Sequence, residues 1–248
     1  MITLKNTELQ HVTPESVGVK SSAIKAFVDE INSKKLGLQS FTMVRHDKVF
    51  AQGFWKPYAA DIPHVLYSMS KSVTSTAVGF AVDEGLISLD DKVYKFFPEY
   101  FAAKLPINKA LTVRMLLTMR SDKFITVFDE KGGKDWIKQF FDAGYMMPPN
   151  TKFNYISENT FMLSAIVSKV TGMSVADYLY PRMFAPLGIE KPFWETDGKG
   201  NNAGGWGLYM KSEDLAKFFS MLACVQGLAP ICAPVLGGLL LLVTNWRG

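Results

Sequence analysis

Two serines in this 248-residue chain stand three positions before a lysine: Ser68 in Ser68-Met-Ser-Lys71 and Ser22 in Ser22-Ala-Ile-Lys25. At a helix start this spacing has a chemical meaning. Residues three apart share a helical face, so the amine of the lysine can reach the hydroxyl of the serine. A serine hydroxyl is a weak nucleophile until a neighbouring base takes its proton. A lysine serves as that base only where burial or the positive end of a helix has lowered its pKa. The free N–H groups of a helix N-terminus can in addition stabilise an oxyanion beside the serine. The spacing recurs by chance in a chain with this much serine and lysine, so the flanking residues must decide. Ser22 reads as a position near the cap of a surface helix, whereas Ser68 opens a long helical stretch. The plain alternative for Ser68 is a capping serine on an amphipathic helix.

A second constellation lies downstream. Of the nine tyrosines, only Tyr155 has a serine or asparagine two positions on, in Phe153-Asn-Tyr-Ile-Ser157. The run His64-Val-Leu-Tyr-Ser-Met-Ser-Lys-Ser-Val-Thr-Ser-Thr-Ala-Val-Gly79, followed by Asp83-Glu-Gly-Leu-Ile-Ser-Leu-Asp-Asp91, closely resembles the nucleophile region of class C β-lactamases, related esterases and D-alanyl-D-alanine carboxypeptidases. The chain is thus similar to serine hydrolases of the β-lactamase and penicillin-binding-protein superfamily. The second motif of that family is usually Y-x-N. The resemblance makes Ser68 the nucleophile, Lys71 its partner and Tyr155 a proton shuttle. It gives Ser157 the place of the residue that helps hold the lysine and the substrate. A hydroxyl there keeps hydrogen bonding but lacks the paired donor and acceptor of an amide. Leu116-Leu-Thr-Met119 resembles the family's Leu-Leu-Thr-His, with methionine in place of histidine. Leu187-Gly-Ile189, Gly204-Gly-Trp-Gly207 and Ser212-Glu-Asp-Leu215 match as well, so the resemblance runs roughly from residue 10 to 222. Ser121-Asp-Lys123 is similar to the S-D-N of class A β-lactamases, and we read it as coincidence because Tyr155 already fills that role. The third family motif, K-T-G or H-x-G, has no counterpart after Tyr155: Lys35-Leu-Gly37 and Lys131-Gly-Gly133 come too early in the chain.

The resemblance implies acyl transfer to water through a serine acyl-enzyme, on an ester, amide or β-lactam. The partner would be a small-molecule or peptide-like substrate, with no metal or organic cofactor. The alternative is a non-catalytic binding module or an inactive truncated fragment of such an enzyme. The implied fold is α+β, β-lactamase/transpeptidase-like: an antiparallel sheet flanked by helices, plus a helical lobe over roughly Pro63 to Leu187, with the later sheet strands missing.

The elements that must position these residues are legible from pattern. Ser21 and Ser22 precede Ile24, Phe27, Val28 and Ile31, the stripe of a capped amphipathic helix. Phe41–Val44 and Val49–Phe54 flank a polar step and read as a hairpin. Val73, Ala77, Phe80 and Ala81 make one face of the helix after Ser68, which Gly85 closes. Leu111 to Met119 is a short apolar helix with Thr112 as its possible cap, 159–170 is helical up to Gly172, and 173–187 continues helical to Gly188. The stretch from Lys123 to Lys134 reads as a polar loop.

Composition supplies the bounds. At 48% hydrophobic and 20% charged, the chain is an ordinary globular protein able to fill a sizeable core. Its net charge of +4 comes from dispersed lysines, which argues against a nucleic-acid partner. Residues 1–10 carry no apolar h-region, pointing to the cytoplasm and to no membrane partner. Two cysteines, Cys224 and Cys232, make a disulfide framework or cysteine zinc site implausible, and His11, His46 and His64 lack metal-ligand spacing. We therefore divide the chain into a serine hydrolase domain over 1–222, incomplete by the resemblance, and an atypical apolar tail over 223–248. No charged residue occurs from Phe218 to Trp246. The run from Leu228 to Val243 is shorter than the roughly 20 residues of a membrane span, and Pro230 and Pro234 interrupt it. A buried core segment and a frameshift product are the other two readings. The abrupt loss of charge favours the last.

Overall fold

A computed structural model describes residues 8–100, 106–124 and 135–223. The expectations for 125–134 and 224–248 lie outside the described residues. The chain divides into two compact units, 1–63 with 211–248, and 64–210.

The first unit is built on the hairpin read from the sequence. Strand β2 (Ser40–Arg45) pairs antiparallel with β3 (Lys48–Phe54), and Arg45 faces Lys48. The turn residues His46 and Asp47 both have positive φ, 52° and 56°, as a two-residue turn matching the twist of the strands requires. A short β1 (Gln10–His11) adds to β3 in parallel, so the sheet is antiparallel at the hairpin and parallel at this edge. Helix α1 (Ser21–Ser33) contributes Phe27, whose ring meets Phe41 edge-on at 5.3 Å. Gly53 leaves room for that packing, because a Cβ there would come within 2.4 Å of the Phe41 ring. The cap of α1 differs from expectation. Lys20 occupies the N-cap without a side-chain bond, and the Glu15 carboxylate accepts the Ser21 N–H at 2.7 Å instead. A negative side chain from the preceding turn thus does the work assigned to the serines. Residues 212–223 are helical and join the sheet through Ser212, whose hydroxyl lies 2.6 Å from that of Thr42.

The second unit is mainly helical. Strand β4 (His64–Val65) pairs antiparallel with β5 (Tyr209–Met210). A 3-10 turn over Tyr67–Met69 leads into α2 (Ser70–Asp83), which buries Val73, Thr74, Ala77, Val78 and Ala81. Gly85, at φ 71°, ends it in the left-handed region as expected. In α3 (Val113–Leu117) Thr112 is indeed the cap, accepting the Met115 N–H at 3.2 Å. Helix α4 (Trp136–Asp142) buries Ile137, Phe140 and Phe141. Helix α5 (Ser157–Thr171) is buried from Glu158 through Val167, so it lies in the core rather than on it. It packs against α2, α3 and α4 and ends at Gly172, φ 70°. Ser174 caps α6 (Val175–Leu179) by accepting the Asp177 N–H, after which the chain passes through a π turn containing Pro181 and a 3-10 turn to Gly188. Proline has no N–H to continue the α pattern, which accounts for the break inside the 173–187 stretch. Lys123, expected in a polar loop, is fully buried. Among the described residues no helix is long and apolar enough to cross a membrane.

Candidate active site

The 3-10 turn presents Ser68 to solvent while Lys71, one turn on, is half-buried. Lys71 Nζ donates to Ser68 Oγ at 3.0 Å, the contact that i, i+3 spacing allows. It donates also to Ser157 Oγ at 2.9 Å and to the Gly205 carbonyl at 2.7 Å. Three acceptors match the three N–H of an ammonium. The Tyr155 ring centroid lies 4.9 Å from the same nitrogen. Burial raises the Tyr155 phenol, but hydrogen bonding with Ser68 and with Lys71, together with the Lys71 charge, outweighs this and holds it below the ordinary tyrosine value. A phenol of lowered pKa, a positive amine and an exposed hydroxyl therefore share one locus.

Separate segments supply these groups. Ser157 is the first residue of α5, so its side chain lies at a helix end that abuts α2. Tyr155 sits two residues earlier on a loop held from the other side. The Asn154 N–H donates to the Met119 carbonyl at 2.8 Å, and the Asn154 side-chain amide donates to the Lys123 carbonyl at 3.1 Å. The buried Asp122 carboxylate accepts the N–H groups of Thr151 and Lys152 at 3.0 and 3.2 Å. The loop bearing Gly204 and Gly205 lies directly on α5. A Cβ on Gly204, φ 68°, would stand 2.7 Å from the Thr160 carbonyl oxygen, and one on Gly205 would stand 2.7 Å from that of Ser157. Only glycine lets this backbone come close enough for its carbonyl to meet Lys71. Thr74 Oγ1 fastens the same loop to α2 by donating to the Gly204 carbonyl at 2.9 Å.

All four residues singled out from the sequence, Ser68, Lys71, Tyr155 and Ser157, thus come together. Ser22 does not join them, and its partner in spacing, Lys25, is exposed and paired with Asp29. Ser121-Asp-Lys123 is not idle sequence, since it anchors the Tyr155 loop. Lys123 Nζ donates to Asn108 Oδ1 at 2.9 Å and to the Ala143 carbonyl at 2.8 Å, and burial pushes its pKa down to about 7. His64 is buried in β4, and burial lowers it. Met119, where the resemblance has histidine, offers its sulfur to the Asn159 amide at 3.6 Å, and Asn159 Oδ1 is left without a hydrogen-bond partner. The sequence match at Gly204-Gly-Trp-Gly207 carried no role for the Gly205 carbonyl, because a Gly-Gly pair by itself signals only a turn or loop. Sequence reading also missed Glu158, a buried carboxyl that burial raises while the Lys71 charge pulls the other way. No spacing signal marks that residue.

A family model described as beta-lactamase matches residues 24–240. Penicillin-binding protein 4 of Amycolatopsis lactamdurans is 30% identical over 182 residues, covering 70% of this chain and 44% of its own length. The 6-aminohexanoate-dimer hydrolase of Paenarthrobacter ureafaciens is 24% identical over 232 residues, covering 85% of this chain and 58% of its own. The chain therefore spans about half the length of these curated relatives. Among solved structures, FmtA from Staphylococcus aureus superposes with a TM-score of 0.69 at 17% identity, covering 89% of this chain and 70% of that one. At that identity the likeness speaks for the fold alone.

Proposed function

The chain belongs to the beta-lactamase family, and from that premise we propose that it is a serine hydrolase acting through a Ser68 acyl-enzyme on an ester, amide or β-lactam. The observation that carries the reading is Lys71 Nζ within 3.0 Å of Ser68 Oγ and 2.9 Å of Ser157 Oγ, beneath the Tyr155 ring. In this reading Ser68 Oγ attacks the carbonyl carbon of a small-molecule or peptide-like substrate. Its proton passes to the Tyr155 oxygen, which the positive Lys71 stabilises as phenolate. Lys71 is held in place by Ser157 and the Gly205 carbonyl. Tyr155 then delivers the proton to the departing alcohol or amine. Water repeats the sequence on the ester bond to Ser68, giving up its proton to Tyr155 and releasing the acid.

A fluorophosphonate label tests the proposal, because only an activated serine reacts. Mass spectrometry should find the adduct on the peptide containing Ser68. An adduct on Ser22 or Ser121 would overturn the assignment, and an unlabelled chain that still binds substrate-like esters would make it a non-catalytic binding module.

A further inference from the structure

Beside Ser68 the surface has a composition that serine chemistry does not need. Tyr67, the residue before the nucleophile, is 70% exposed and has φ 43°. A bulky aromatic side chain at positive φ is an outlier, and such strain persists only where the surroundings impose it. Here the backbone is pinned on both sides, by the Leu66 N–H on the Leu208 carbonyl at 2.8 Å and the Met69 N–H on the Leu66 carbonyl at 3.0 Å. The β4–β5 ladder continues onto a third segment, where Tyr209 N–H donates to the Phe193 carbonyl and Glu195 N–H to that of Gly207, each at 2.9 Å. Val65 faces Tyr209 across the ladder, so Tyr67 follows two residues beyond that pair. The Phe193 ring, 67% exposed, lies 5.5 Å from the Tyr209 ring. Tyr209 Oη donates to Glu195 Oε1 at 3.4 Å. Burial, then the charge of Glu195 and its hydrogen bond, then Tyr67, push the Tyr209 phenol up.

Glu195 is laid in position by backbone shape. Gly207, φ 73°, has no Cβ, and one added there would stand 2.7 Å from Glu195 Cβ and 2.9 Å from Oε2. Among the described residues Glu195 forms no ion pair. A carboxylate without a cation, bonded to Tyr209 beside the Phe193 ring and with exposed Tyr67 two residues beyond the Val65–Tyr209 pair, is a combination that recognises an ammonium group. The charge supplies attraction, and the ring faces accept a cation more readily than an anion. The same rings would repel a substrate carboxylate.

We propose that Tyr67, Phe193, Tyr209 and Glu195 form a subsite for an ammonium group, quaternary or alkyl, carried by the substrate whose carbonyl reaches Ser68. The proposal rests on the hydrolase reading only for the identity of the reaction. The subsite itself binds the cation with or without turnover.

Acetylcholine and 3,3-dimethylbutyl acetate, which share a shape and differ in charge, provide the test. The wild-type chain should favour the cation in kcat/KM by about tenfold or more, the order expected for a cation held on aromatic faces beside a carboxylate. In Glu195→Gln the ratio should fall toward one, and Tyr67→Ala should lower it as well. Equal rates in the wild type, or a ratio untouched by Glu195→Gln, would overturn the subsite. A binding arm separates its failure from that of the hydrolase reading. Tetramethylammonium is titrated into Ser68→Ala and into Ser68→Ala with Glu195→Gln, followed by NMR. Saturable binding that is lost in the double variant supports the subsite even if neither ester is hydrolysed. Absence of saturable binding to Ser68→Ala overturns it.

Discussion

Lys71 reaches three oxygens from three stretches of chain: Ser68 in its own turn, Ser157 at the start of α5, and the Gly205 carbonyl. Those three oxygens orient the Lys71 amine, while the Tyr155 phenol is drawn below its usual value and is, in the proposed mechanism, the group that exchanges the proton. Lys71→Ala and Tyr155→Phe should therefore each lower kcat by about 10²-fold or more, the scale of general acid–base catalysis. The double variant should lose less than the product of the two, because residues acting as a unit are not additive. The pH profile distinguishes their roles. Activity should rise as Tyr155 gives up its proton, at a pH below the roughly 10 of an ordinary phenol. Tyr155→Phe should lose that rise, and a profile unchanged by the substitution would remove Tyr155 from the proton path.

At the scale of elements, the placement of Tyr155 depends on a clamp between two segments, 119–123 and 150–154. Two bonds between Asn154 and the first segment, and two from Thr151 and Lys152 onto Asp122, set where the loop turns into α5. Asp122 itself sits at φ 55° and is 1% exposed, so its conformation is held in place by what it bonds. Asp122→Ala should cost about 2–3 kcal/mol, the scale for losing hydrogen bonds to a buried charge. It should also lower kcat more than it raises KM, since it displaces Tyr155 rather than a substrate contact. Asp122→Asn, which keeps one acceptor oxygen, should recover much of both. Urea unfolding and ester kinetics on the two variants check this, and full activity in Asp122→Ala would show that the loop is positioned by other contacts.

On the scale of the whole molecule, the unit over 64–210 carries a lysine in its interior. Lys123 is neutral in the folded chain above about pH 7, whereas in the unfolded chain it stays protonated up to about its ordinary 10.5. Between those values the unfolded state binds more protons, so the contribution of this group makes stability rise with pH. Below about pH 7 both states are protonated and the dependence vanishes. Relative to Lys123→Met, wild-type stability should therefore climb between about pH 8 and 10 by up to about 1.4 kcal/mol per pH unit. Chemical denaturation of both proteins across that range is the measurement, and parallel curves would mean that Lys123 remains charged inside the fold.

What the sequence by itself determined is local. The His46-Asp47 turn between two β-rich runs, the Thr112 cap and the glycines that end α2 and α5 are set by short-range sterics and hydrogen bonding, and they stand where their residues placed them. The Ser68–Lys71 contact belongs to the same class, because one helical turn brings the two side chains together whatever surrounds them. Tyr155 and Ser157 were visible only as a motif and gain their meaning when α5 packs on α2, 86 residues separating Ser157 from Lys71. The Gly205 carbonyl, the burial of Lys123 and the company Glu195 keeps were decided by tertiary structure alone. Each depends on a contact between residues whose types carry no record of the partner, and burial converts an ordinary charged side chain into one with a chemical role.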